Sequence, residues 1–118
     1  MPDTPLPGRR VRGSVTGRPL MAALDLFGRR WALRLLWELR DGPVGARALQ
    51  ARADGISSSV MYQRLTELGQ AGLVAKNRNG DYQLTQLGRD LGRAVEPLDD
   101  WARQWAAAST PSRPDSPE

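Results

Sequence analysis

Apolar side chains recur along this chain at two different periods, and the switch between them divides it. From residue 19 to residue 70 they fall three and four positions apart, which places them on one face of a helix. "PLMAALDLFG" sets Leu20, Leu24 and Phe27 on one side between Pro19 and Gly28, and predicts a short first helix. "RRWALRLLWELRDGP" predicts a second, with Trp31, Leu35 and Leu39 in one stripe and Leu36 beside it; Asp41-Gly42-Pro43 is its stop. "ARALQARA" predicts a third, with Ala46, Leu49 and Ala53 inward and Asp54-Gly55 as the following turn. A fourth runs from Ser57, its N-cap, to about Gln70, with Met61, Leu65 and Leu68 inward.

After Gly72 the period shortens. "LVAKNRNGDYQLT" alternates at Tyr82 and Leu84 around Asn79-Gly80, which predicts a two-stranded ribbon closed by a type I′ turn. Thr85 then caps a long last helix, "QLGRDLGRAVEPLDDWARQWAAA". Its Leu87, Leu91, Ala94, Leu98, Trp101 and Trp105 make an a/d seam, within which Pro97 is expected to kink the axis rather than end it. A helix–turn–helix followed at once by a hairpin is a winged helix. The predicted fold is mainly α with a small β-hairpin wing, a winged helix-turn-helix domain over residues 19–108 dimerised through its terminal helices. Residues 1–18 are rich in Pro, Gly, Arg and Ser, and predict a disordered basic N-terminal tail; "STPSRPDSPE" predicts a disordered C-terminal tail over 109–118.

The composition narrows the chemistry. At 118 residues, with 40% hydrophobic and 25% charged residues, the chain suits one domain with one modest core. It has no apolar run of about 18 residues and no apolar stretch near its start, so neither a membrane span nor a secretory signal is predicted and the cytoplasm is the expected location. Without cysteine or histidine there is no disulfide, no thiol switch, no Cys/His zinc site and no imidazole-based nucleophile. The acids are scattered, and the adjacent Asp99 and Asp100 point to different sides of a helix. An enzyme is the least expected class and no cofactor is expected. The net charge of +4 favours a polyanionic partner. Much of it resides in Arg9, Arg10, Arg12 and Arg18 of the tail, set against Asp3, so the folded part is only mildly basic. Such a tail suits a path along a nucleic-acid backbone or in a minor groove.

The stretches "ALDLFGRRWALRLLWELRDGP", "GISSSVMYQRLTELGQAGLV", "YQLTQLGRDL" and "PLDDWA" closely resemble the HxlR-type winged-helix transcriptional regulators, relatives of MarR-type proteins, from residue 20 to about 106. The resemblance implies a homodimeric bacterial regulator bound to a palindromic or pseudo-palindromic operator. It further implies that the first and last helices make the dimer, the fourth enters the major groove, and the wing meets flanking backbone or minor groove. Two departures matter. Many members carry a sensing cysteine just before the first helix, where this chain reads "TGRPLMAALDL", so thiol-based sensing does not carry over. The family's wing is usually longer and Pro-rich, whereas "NRNGDY" is short.

Within that frame the fourth helix carries the candidate contacts. With Met61, Leu65 and Leu68 buried, a turn of about 100° per residue sends Ser59, Tyr62, Gln63 and Thr66 outward, and Ser58 lies on the open first turn. Small hydroxyls let the helix end approach a duplex closely; Gln63 suits adenine N6/N7, and Tyr62 suits a thymine methyl or a phosphate. Ser58, Ser59, Tyr62, Gln63 and Thr66 are the predicted base-reading set. Free N–H groups beside Ser57 attract phosphate, and Arg47, Arg52, Lys76 and Arg78 supply perimeter cations. Arg64 lies near the core edge, with an ion pair to Glu67 or another helix as ready a role as phosphate binding.

The last helix predicts an interface, because so long a seam exceeds what a small domain can cover internally. Leu91, Leu98, Trp101 and Trp105 form it, with Leu20, Leu24 and Phe27 as a second layer. Trp31 and Trp37 serve either core packing or a pocket for a flat aromatic effector. Without cysteine, a non-covalent aromatic ligand is the preferred input. The expected function is a sequence-specific DNA-binding regulator, a repressor by preference, acting as a homodimer. Two alternatives are a winged-helix module for protein–protein contact and a small-molecule binding or resistance protein with secondary DNA binding.

Overall fold

The computed structural model describes residues 4–109. Its elements are α1 (Pro19–Phe27), α2 (Ala32–Glu38), α3 (Ala46–Arg52), α4 (Ser58–Gln70), β1 (Val74–Lys76), β2 (Tyr82–Leu84) and α5 (Gln86–Ser109). This is the winged-helix order that the periodicity predicts. No helix among the described residues is long and apolar enough to cross a membrane.

One core joins the elements. Leu35 and Leu39 of the α2 region, Leu49 of α3, and Met61 and Leu68 of α4 are its fully buried large side chains, and Leu73, Val74 and Leu84 of the hairpin close it from the side. Each predicted inward position of α4 is buried, because apolar residues spaced four and three apart share one face. Glu67 is buried with them, which hydrophobic periodicity alone does not predict.

Helix α2 starts later than its stripe suggests. Trp31 is its N-cap, with φ 78° in the left-handed region, and is the one non-glycine residue in that region among those described. The chain turns a tight corner here, with Arg29 N–H donating to the Leu26 carbonyl and Ala32 N–H to that of Arg29. A left-handed residue costs about 1–2 kcal/mol. Packing of the Trp31 ring against the core helps to offset it.

The ribbon pairs Val74 with Leu84, Ala75 with Gln83 and Lys76 with Tyr82, antiparallel. Val44 adds a one-residue third strand beside β2, its N–H and carbonyl each bonding Tyr82 at 2.9 Å. That pairing is non-local, and no local signal around Pro43 announces it. The turn also differs from the predicted type I′. Gly80 N–H donates to the Asn77 carbonyl at 3.0 Å, and Gly80 has φ 82° while Asn79 stays at negative φ. This is a type I turn over Asn77–Gly80 followed by a left-handed glycine, the usual three-residue hairpin loop. Asn77 decides between them: its Oδ1 accepts from the N–H groups of Asn79 at 2.9 Å and Asp81 at 3.0 Å.

Thr85 caps α5 as predicted, its Oγ1 accepting from Gly88 N–H at 3.1 Å while donating to the Gly72 carbonyl at 2.6 Å. The helix then continues through Pro97 to Ser109. Residues 4–18 differ from the disordered tail their composition predicts. Thr4 and Val11 are buried, Val11 bridges Ser14, and Gly8 N–H bonds the Gly17 carbonyl at 2.9 Å. Backbone hydrogen bonds and glycine turns hold this segment, and hydropathy patterning does not register them. The tail predicted over 109–118 lies outside the described residues, apart from Ser109 at the end of α5.

Candidate nucleic-acid interface

Three successive serines open α4, and the structure gives them different surroundings. Ser57 is the N-cap: its Oγ accepts from Val60 N–H at 3.2 Å, satisfying a backbone donor that helix geometry leaves unpaired. Ser58 and Ser59 lie on the first turn beyond the cap, both exposed. Further along, Tyr62, Gln63 and Thr66 are exposed while Met61, Leu65 and Leu68 lie beneath them in the core. Ser59, Gln63 and Thr66, four and three apart, form one outward stripe of hydroxyl and amide groups with Tyr62 beside it. The predicted base-reading residues are therefore brought together on one open helix face.

The predicted backbone-contacting cations are exposed on other elements of the fold. Arg47 and Arg52 are exposed on α3, where the Arg52 carbonyl accepts from Arg34 at 2.7 Å and ties the end of α3 to α2. Arg78 is exposed in the type I turn at the wing tip. Lys76 is exposed on β1, its ammonium 5.3 Å from the centre of the Tyr82 ring.

Arg64 belongs to a different arrangement. Its Nε donates to the Arg30 carbonyl at 2.8 Å, and its guanidinium donates to Glu67 at 3.2 Å. Arg29 donates to the other carboxylate oxygen of Glu67 at 3.1 Å. Of the roles expected of Arg64, the ion pair with Glu67 is present; its other bond goes to a backbone carbonyl of the α1–α2 loop rather than to a charge on another helix, and these contacts hold the guanidinium away from the open α4 face. The Glu67 side chain is only 3% exposed, so a carboxylate almost wholly removed from water joins α4 to the α1–α2 corner. The partnership of Arg29 has no signal in the sequence, since it depends on the tight turn at Trp31.

A second surface lies on the terminal helices. Leu20 and Leu24 on α1 are 68% and 53% exposed, and Trp101 and Trp105 on α5 are 53% and 60% exposed. Leu87 and Leu98 are also open to solvent. The Trp101 and Trp105 rings stack on each other with centroids 5.5 Å apart. Phe27 and Leu91, predicted for the same layer, are half-buried and pack partly against the core.

Between α2 and α5 runs a groove of about 540 Å³, walled by Leu33, Leu36, Trp37, Leu91, Val95 and Leu98. The Arg40 guanidinium lies over the Trp37 ring, 4.0 Å from its centre. Trp31 is not among the groove's residues and instead sits at the α1–α2 corner with Arg30 over its ring at 5.4 Å. The two tryptophans that could have shared one pocket are therefore not brought together.

Known proteins share this fold. The family model for the HxlR-like helix-turn-helix matches residues 26–110. YvaP of Bacillus subtilis, an uncharacterized HTH-type transcriptional regulator, is 26% identical over 89 residues, which are 70% of this chain and 82% of YvaP. Rv3095 of Mycobacterium tuberculosis, named in the same way, is 33% identical over 104 residues. That match takes in 81% of this chain and 61% of Rv3095, so the chain spans about three fifths of that relative's length. Among solved structures, the quinone-bound YodB from B. subtilis superposes with a TM-score of 0.68 at 29% identity, over 72% of this chain and 96% of YodB. With a winged-helix fold, an outward polar stripe on its fourth helix and a family match over most of its length, the chain belongs to the HxlR-like helix-turn-helix family of DNA-binding transcriptional regulators.

Proposed function

We propose that the protein is a cytoplasmic homodimeric repressor whose paired α4 helices read successive major grooves of a palindromic operator. The observation that carries this reading is the outward stripe of Ser59, Gln63 and Thr66 with Tyr62 at its side, on a helix whose opposite face is core. Small hydroxyls at the helix start and an amide one turn on supply the donors and acceptors that base edges meet. Arg47, Arg52, Lys76 and Arg78 serve as phosphate contacts, and Ser57 presents the capped helix end to a phosphate. The exposed leucines and tryptophans of α1 and α5 pair the two protomers.

The experiment is a genomic-fragment selection with purified protein at about 150 mM salt, near physiological ionic strength, beside a Tyr62→Ala/Gln63→Ala variant. Enrichment of one palindromic site that the variant loses supports the reading. No enrichment, or enrichment indifferent to the substitutions, overturns it in favour of a protein partner.

Control by a ligand is part of the proposal. The α2–α5 groove falls in the range of roughly 300–1,000 Å³ typical of small-molecule sites, and Trp37 gives it an aromatic wall. YodB has been solved with a quinone bound. This chain has no cysteine to form an adduct, so its effector is a flat aromatic molecule held without a covalent bond. Weaker operator binding as such a molecule is added, abolished by Trp37→Ala, supports this; unchanged affinity across a panel of quinones and other aromatics overturns it.

A further inference from the structure

Residues 4–18 enter the fold at an informative place. Thr4, buried, donates its hydroxyl to the Oε1 of Gln70, the last residue of α4. Gln70 continues the spacing of Ser59, Gln63 and Thr66 by four residues, so it stands on the same outward stripe of the helix. The segment therefore starts at one end of the face assigned to base reading.

From there the chain folds into a compact loop. Gly8 N–H bonds the Gly17 carbonyl at 2.9 Å, Val11 and Ser14 pair through bonds of 2.9 and 3.1 Å, and Arg18 N–H donates to Ser14 Oγ at 3.0 Å. Arg12 N–H donates to Asp25 at 3.1 Å and ties the loop to α1. Gly17 is the closure: at φ 72°, a Cβ on it would lie 2.0 Å from the Arg9 carbonyl oxygen, so only glycine fits. Held on this frame, Arg9, Arg10 and Arg12 are all exposed, and the Arg12 side chain is 91% exposed. Asp25, 4.0 Å from the Arg12 guanidinium, is the carboxylate that the loop's arginines meet among the described ion pairs.

We infer that residues 8–17 are a preformed phosphate-binding loop that extends the α4 face along the DNA backbone. Three exposed guanidiniums on ten residues suit a polyanion. Val15 is the one large apolar side chain the loop exposes, too little for the centre of a protein interface. A disordered basic tail would lose conformational entropy on binding, whereas a loop already hydrogen-bonded to itself and to α1, in a segment that Thr4 fastens to α4, loses little. Such contacts add affinity without reading sequence.

This inference rests on the DNA-reading role of α4, and the test separates the two. Binding of the full chain is measured across a salt series to two duplexes, the one enriched by selection and a mixed-sequence duplex of equal length. An Arg9→Gln/Arg10→Gln/Arg12→Gln variant is expected to bind both about tenfold more weakly, with its log–log salt slope shallower by about 0.9 for each phosphate no longer neutralised. Its dimer and its preference between the duplexes are expected to stay as in the wild type. Gly17→Ala keeps all three arginines but breaks the closure, and is expected to weaken both duplexes as well. An unchanged salt slope in the triple variant overturns the loop's role, as does a loss of affinity that tracks a loss of dimer. Wild-type affinity in Gly17→Ala overturns its preformed character. Wild-type protein that binds neither duplex in a salt-dependent way overturns the α4 reading itself.

Discussion

Ser57, Ser58 and Ser59 carry the same hydroxyl, but the first is the helix cap. Its Oγ accepts from Val60 N–H, the Ser59 hydroxyl lies 3.4 Å from that capping oxygen, and Ser58 faces solvent. Ser57→Ala is expected to cost about 1 kcal/mol, visible as a lower thermal midpoint, while a Ser58→Ala/Ser59→Ala variant melts with the wild type but binds its operator less tightly. A variant pair with the opposite split would assign the hydroxyls the other way round. Glu67 is the more demanding residue, a carboxylate 3% exposed that accepts from Arg29 and Arg64. Replacing it with Ala removes the anion from beneath two partly buried guanidiniums. Loss of one partner of a fully buried ion pair costs roughly 3–5 kcal/mol. The two arginines here can still reach water, so about 2–3 kcal/mol is expected, read as a shift of the urea midpoint with little change in slope.

Elements are legible where their signals are local. Helix α4 begins at the predicted cap and ends at Gln70, because a capping hydroxyl and an apolar stripe are properties of neighbouring residues. The same holds for Thr85 and the start of α5. Trp31 falls outside its predicted helix because apolar spacing extends a helix backward with no knowledge of the corner before it, where the backbone turns left-handed. Asn79-Gly80 signals one wing turn, and the side chain of Asn77, two residues earlier, selects another geometry. Val44 and residues 4–18 depend on partners far along the chain or on backbone hydrogen bonds, which hydropathy does not encode. The outward set on α4 is legible from the helix period alone, whereas the Glu67 network needs the fold. The type I turn places Arg78 at the wing tip. Arg78→Ala is therefore expected to weaken binding alike for all sequences and to reduce the salt slope by about 0.9; a change confined to one base position would instead make Arg78 a reader.

At the scale of the whole molecule, two surfaces face in separate directions of use: the polar stripe of α4, and the leucines and stacked tryptophans of α1 and α5. Large exposed aromatics of this kind anchor interfaces, often contributing about 2 kcal/mol each. A Trp101→Ala/Trp105→Ala variant is expected to sediment as monomer at concentrations where the wild type is dimeric, and to keep its helical circular dichroism. Dimeric sedimentation of that variant would move the interface elsewhere. The two surfaces are joined at the α1–α2 corner, where Glu67 pins α4 to Arg29 and, through Arg64, to the Arg30 carbonyl. In the proposed dimer, built on α1 and α5, that pin would set the gap between the two α4 helices, as a locked screw sets a caliper. Inserting one base pair between half-sites widens their separation by about 3.4 Å and turns one relative to the other. Wild-type protein is expected to reject operators lengthened or shortened by a single base pair. A Glu67→Gln variant, with its carboxylate made neutral and the screw loosened, should accept both neighbours at some loss of affinity for the original. Binding measured across such a spacer series would show whether a buried acid in one helix decides how far apart two DNA sites are allowed to be.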